Sequence, residues 1–177
     1  MQNSEVRIRA GSAGRIGIIL LITNSIIWAE VYDRVAVAVG NHAIKASDID
    51  RDIRLTAFLN GAKLDFSSPE QRKAADRLID QWVIREEMAK RNYASVSPAT
   101  ADEVLNKIKA ARFPNPVQYQ QALNRYGINE SELKAHVAWQ ATVLRFVAER
   151  FQSQAFFNWL NESRKRASVQ FRGELSP

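Results

Sequence analysis

Proline stands directly after a capping residue at three places in this chain: Ser68-Pro69, Ser97-Pro98 and Asn115-Pro116. Proline suits the first turn of a helix, where the leading N–H groups have no partner in any case, and it breaks a helix interior. Each pair therefore marks a helix start, and the chain around them is confined to helices of modest length joined by short connections. Ser68-Pro69-Glu70-Gln71 adds a glutamine at the third helical position, which completes a capping box. From there Ala75, Leu78, Ile79, Trp82, Val83 and Ala89 recur at helical spacing to about Arg91. The helix opened at Ser97-Pro98 carries Val104, Ile108 and Ala111 and is broken at Phe113-Pro-Asn-Pro116. Asn115-Pro116 starts a short helix that ends at Gly127. Asn129 then caps a long one with Leu133, Val137, Ala141, Leu144, Val147 and Phe151 along one stripe. That helix has a second apolar face, Trp139, Val143 and Phe146, so it packs on both sides or keeps one side for a partner.

The ends of this helical series carry a different period. Val35-Ala-Val-Ala-Val39 alternates large and small apolar residues, as a half-buried strand does. Gly40-Asn41 supplies the positive φ of a two-residue hairpin turn, and His42–Lys45 reads as the return strand. Ser47-Asp-Ile-Asp50 reads as a cap with an acid at the third position, opening a helix to about Leu59 that stops near Gly61. Beyond a joint at Gln152–Ser153, Phe156, Trp159, Leu160 and Ser163 keep helical spacing. Lys165 and Arg166 fall in the last turn, where the helix dipole favours cations. Ala167–Arg172 alternates again. A lone hairpin is marginal in water, so this segment is expected to be the third strand, pairing with the hairpin and tying the chain ends together. The fold class expected is mostly α, a helical bundle with a small sheet made from an N-terminal hairpin and a C-terminal strand.

Residues 1–29 differ from the rest. Arg7, Arg9 and Arg15 precede the uncharged stretch Ile16–Trp28, followed by the small residue Ala29 and the polar Glu30. A basic region, a short apolar region and a small residue describe a secretory signal peptide, with cleavage between Ala29 and Glu30 and a mature domain of 30–177. A bilayer span needs about 20 apolar residues, so an uncleaved anchor in the inner membrane is the weaker alternative. The expected compartment is the periplasm.

Composition removes most chemistry. The 177 residues include no cysteine, which excludes thiol catalysis, disulfides and cysteine-held metals. The two histidines, His42 and His136, lie in separate segments, and the seven glycines form no phosphate-cradling loop. Asp48, Asp50 and Asp52 alternate, but the glycine and terminal glutamate of a calcium loop are missing, so they read as acids placed for a helix start. Glu86 and Glu87 are adjacent on a helix and diverge. His136 reads as a surface or packed imidazole. The net charge is +6, yet the clusters Arg72-Lys73 and Arg164-Lys165-Arg166 are interleaved with or adjoined by acids, and no nucleic-acid-binding signature is present. No catalytic residue, metal site or cofactor is expected. Aromatic residues are the informative group, because a small helical domain with this many can line a groove for apolar peptide segments as well as a core.

The order of segments resembles the SurA-type periplasmic chaperone family. The likeness rests on "YDRVAVAVGNHAIKASDID", on "RKAADRLIDQWVIREEMAKRNYASVSPATADEVLNKI", on "YQQALNRYGINESELKAHVAWQATVLRFVAERF" and on "FFNWLNESRKRASVQF", and covers about residues 31–172. It implies a helical N-domain completed by a C-terminal helix and strand, and a chaperone that holds unfolded outer-membrane or secreted proteins. Many members carry parvulin-type prolyl isomerase domains between the paired helices and the closing helix. Here that point is Gln152–Ser153, where no insertion of about 100 residues, the usual domain scale, is found. The resemblance therefore implies a holdase without isomerase activity. Its partners would be unfolded polypeptides, outer-membrane precursors above all, with no nucleic acid and no small-molecule cofactor. The remote closing strand also allows a domain-swapped homodimer. The residues expected to line a client groove are Phe66, Phe113, Tyr119, Trp139 and Phe146. An interaction module dedicated to one envelope partner is the alternative, and a prolyl isomerase is a weaker third.

Overall fold

A computed structural model describes residues 33–151 and 153–175; the expected signal peptide, with its cleavage point between Ala29 and Glu30, lies outside the described residues. The chain is mostly helical with one small antiparallel sheet. Its elements are β1 (Val35–Val39), β2 (His42–Lys45), α1 (Ala46–Asn60), α2 (Ser68–Lys90), α3 (Pro98–Arg112), α4 (Pro116–Tyr126), α5 (Glu130–Arg150), α6 (Ser153–Arg166) and β3 (Val169–Phe171), followed by a 3-10 turn over Gly173–Leu175.

The sheet order is β2-β1-β3, so the first strand is central and the last one completes it. Val39 faces both His42 and Val169, and Val37 faces both Ile44 and Phe171. Gly40 makes the two-residue hairpin turn with φ of 58°, a conformation open to glycine without steric cost. The strict alternation expected of β1 is broken at Ala36. The register with β2 shifts between Val35 and Val37, and Ala36 is buried together with Val37 and Val39. Leu175 of the 3-10 turn, which sequence periodicity did not indicate, is buried in the same cluster.

Helix starts follow the capping residues, with two corrections. Ser97 and Asn115 accept from Thr100 N and Gln118 N, and Asn129 and Glu132 form the reciprocal box. The second helix is capped by Ser67 rather than Ser68, which places Pro69 one position further in, and the expected box is replaced by Gln71 Nε2 donating to the Phe66 carbonyl at 3.0 Å. The first helix starts before Ser47. Lys45 is its cap, and the acid at the third position is Asp48, which accepts from Lys45 N at 3.0 Å. A strand running straight into a helix leaves no room for a separate cap residue.

Three apolar clusters hold these elements. The first joins the sheet to Ile49 and Ile53 of α1 and to Ala74, Ala75 and Ile79 of α2. The second gathers Phe58 with Leu105, Tyr119, Leu123, Leu133 and Val137, from α1, α3, α4 and α5. The third is formed by Ile84 and Met88 of α2 with Phe146 of α5, and Phe151, Phe156 and Trp159 pack against it. Among the described residues no helix is long and apolar enough to cross a membrane.

Candidate functional site

The helices that feed these clusters do not close completely on one another. Where α1, α2, α5 and β2 meet, a groove of about 540 Å³ remains, within the size range of ligand-binding clefts. Each helix contributes four residues at spacing i, i+3, i+4, i+7, which is one helical face. From α1 these are Asp48, Arg51, Asp52 and Leu55; from α2, Leu78, Gln81, Trp82 and Arg85; from α5, Glu132, Ala135, His136 and Trp139. The edge strand β2 adds His42 and Ile44, two residues apart and hence on the same side of the sheet.

The groove is polar at its ion pairs and aromatic at its walls. Asp52 is 4% exposed and takes Arg77 Nε at 2.8 Å and Nη2 at 2.7 Å, with Gln81 Nε2 at 3.4 Å. A buried carboxylate needs such a partner, because its desolvation is otherwise not offset. Arg51 sits between Asp48 at 3.6 Å and Glu132 at 3.3 Å, and so links α1 to α5. The His42 ring stacks on Trp82, with centroids 6.0 Å apart and planes 18° apart. The Arg85 guanidinium lies 3.7 Å from the centre of the Trp139 ring, a stacked cation–π arrangement. His136 contacts Gln140 through Nε2 at 2.9 Å. Burial holds its pKa below the ordinary imidazole value, against the opposing pull of Asp52 and with Arg77 and Arg85 adding to the effect.

Of the five residues expected to line a groove, only Trp139 does so. Tyr119, 6% exposed, and Phe146, fully buried, are core. Tyr119 is packed edge-on against Phe58 and Phe113, and Phe146 against Tyr93 and Phe151. Burial of the Tyr119 ring raises its phenol pKa. Phe113 stacks on Phe58 at 5.8 Å at the edge of the second cluster. Phe66 is 36% exposed under the Arg54 guanidinium, in the loop before α2, and is not among the groove residues. Helical spacing does not separate these cases, since a core aromatic and a groove aromatic obey the same period. Trp82 reads in the sequence as one member of an apolar stripe, His136 as a surface or packed imidazole and the α1 acids as helix-start charges, and nothing singles out Arg85. The signal that finds them is the mixed quartet, repeated on three helices, in which charged and apolar residues share one face.

Among the described residues no group of histidine and acidic side chains is disposed to hold a metal ion. The groove has no paired carboxylates free for acid–base work, because Asp48, Asp52 and Glu132 are each engaged in ion pairs. No family model matches the chain, and no curated protein matches it.

Proposed function

We propose that this chain is a non-catalytic, peptide-binding chaperone that shields apolar side chains of unfolded polypeptides in the groove between α1, α2, α5 and β2. The observation that carries the reading is that Trp82 and Trp139, each resting with part of its ring on a core cluster, both also face one open groove. Indole rings provide large apolar contact with little side-chain entropy to lose, which suits a binder of many sequences. The edge position of β2 beside the groove favours an extended chain as the occupant. With no nucleotide to drive release, binding would have to be weak and reversible, around micromolar, or about 8 kcal/mol. The compartment belongs to the same proposal. The basic-then-apolar pattern of residues 1–29 supports export, so clients would be envelope polypeptides such as outer-membrane precursors, whose strands alternate apolar and polar residues.

The test dilutes an unfolded outer-membrane barrel protein, and separately two unrelated unfolded proteins, into buffer with the purified chain while light scattering is followed. Suppression of all three aggregations near stoichiometric ratios, weakened by Trp139→Ala, is the expected result. Suppression of none by a folded chain overturns the reading. Tight binding to one folded envelope protein, with no effect on unfolded ones, would establish a dedicated interaction module instead. A prolyl-peptide assay with turnover above background would overturn the non-catalytic part.

A further inference from the structure

The charges of the groove are not equally engaged. Asp48 and Glu132 share Arg51, and Asp52 is taken by Arg77. Arg85 is the one charged groove residue with no oppositely charged partner among the described residues. Its guanidinium is instead laid on the face of Trp139, 3.7 Å from the ring centre. Stacking leaves the in-plane N–H donors at the guanidinium edge free, and these are the donors that match a carboxylate in bidentate fashion. Arg85 is exposed, so this edge is accessible to a ligand from solvent. The chain is +6 over its full sequence and, without residues 1–29 and their Arg7, Arg9, Arg15 and Glu5, +4, so it stays basic and adds a favourable field for an acidic ligand.

We propose that the groove selects extended segments in which an acidic side chain lies within one or two residues of a large apolar or aromatic one, with the carboxylate on the free edge of Arg85 and the apolar side chain against Trp139 and Trp82. The inference rests on the groove being the peptide site proposed above and names the chemistry of its preferred occupant. The geometry argues for both halves together. The ring that orients the guanidinium is itself a wall of the groove, so a carboxylate placed on Arg85 carries its neighbouring residues to the indoles. The acids elsewhere in the groove are held on Arg51 and Arg77; two arginines serve three carboxylates, so the attraction for an acidic ligand is local to the edge of Arg85 and not a property of the whole groove.

Two fluorescein-labelled peptides test this by anisotropy against the purified chain. Both are blocked at each end, so that no terminal charge contributes, and they differ only in carrying glutamate or glutamine beside a central phenylalanine. The expected result is about fivefold tighter binding of the glutamate peptide, a modest preference because the pair is partly solvated, and a preference that shrinks as salt rises. Arg85→Gln removes the preference, so that the glutamate and glutamine peptides bind that variant equally, whatever its absolute affinity for either. Arg85→Lys, which keeps the charge and loses the fork, retains part of it. Circular dichroism confirms that both variants are folded, and the peptide pair tests the native chain whether or not they are. Equal binding of both peptides to the native chain overturns the preference and leaves the groove reading standing. Retention of the full preference in folded Arg85→Gln also overturns it. Binding of neither peptide overturns the groove reading and this inference together.

Discussion

Trp139 and Phe146 sit two turns apart on one helix and do opposite work. Phe146 is fully buried among Tyr93, Phe151 and the α2 residues Ile84 and Met88. Phe146→Ala should cost about 3–5 kcal/mol, the range for emptying a buried phenylalanine site, read from urea unfolding. Trp139 is only partly buried, although it packs against the same cluster, so Trp139→Ala should lower stability less than Phe146→Ala and also weaken peptide binding; a loss of stability equal to that of Phe146→Ala would place it in the core. His136 adds a pH dependence. Its folded pKa lies below the ordinary value, so the unfolded chain takes up the proton first as pH falls. Stability therefore rises with pH across the window between the lowered folded pKa and the unfolded value of about 6.5, and is flat from this source above it. His136→Gln should lose that part of the acid destabilisation, measured as the unfolding midpoint against pH; identical profiles for the two proteins would rule the effect out.

At the scale of elements, what aligns the three groove-forming helices is a small number of polar ties. Asp52 to Arg77 fastens α1 to α2, and Arg51 to Glu132 fastens α1 to α5. Because Arg77 is partly exposed and also lies 3.8 Å from Glu70, Asp52→Ala should cost about 2 kcal/mol rather than the larger loss of a fully buried pair. It should also weaken peptide binding by letting α1 and α2 part. Unchanged affinity at reduced stability would show that the tie does not shape the groove. A third tie runs from Thr142, buried in α5, which accepts Val96 N at 3.0 Å while donating to the Ala138 carbonyl at 2.7 Å. It anchors the connection between α2 and α3, so Thr142→Val should cost about 1–3 kcal/mol by leaving a backbone donor unpaired, again read from urea unfolding. Helix starts at Ser97, Asn115 and Asn129 were legible because capping is a contest within four residues. Ser68 and Ser47 misled because neighbouring residues offer alternative caps of similar local quality, and the preceding chain direction decides between them.

Over the whole molecule, closure depends on the last strand and turn. β3 supplies the second partner of β1, and Leu175 enters the first core behind it. Arg72 of α2 spans both, with its guanidinium 3.5 Å from the Phe171 ring centre and Nη1 donating to the Leu175 carbonyl at 2.7 Å. Arg164 of α6 reaches Asp76 and Asp80 on α2 and brings the closing helix onto the same element. The two basic clusters of the sequence thus contribute to internal closure. Leu175→Ala, far from the groove in sequence, should cost about 2–4 kcal/mol and lower the midpoint of a single cooperative transition. A separate early transition with the rest intact would show that the C-terminal segment folds on its own account.

The helix series, the hairpin turn at Gly40-Asn41 and the strand character of Ala167–Arg172 were set by local signals: capping, positive φ, and periods of 3.6 and 2; that the last strand pairs with the first followed from a hairpin's need for a third partner. The local signals depend on neighbours a few residues apart, and a sequence states them directly. The fate of each aromatic was not set that way. Tyr119, Phe146 and Trp139 all repeat at helical spacing, and what divides them is how three apolar faces meet. Tyr119 and Phe146 fill the junctions. Trp139 stands where α1, α2 and α5 leave a gap, next to an arginine whose lack of an acid can be seen only once every neighbouring carboxylate has been placed.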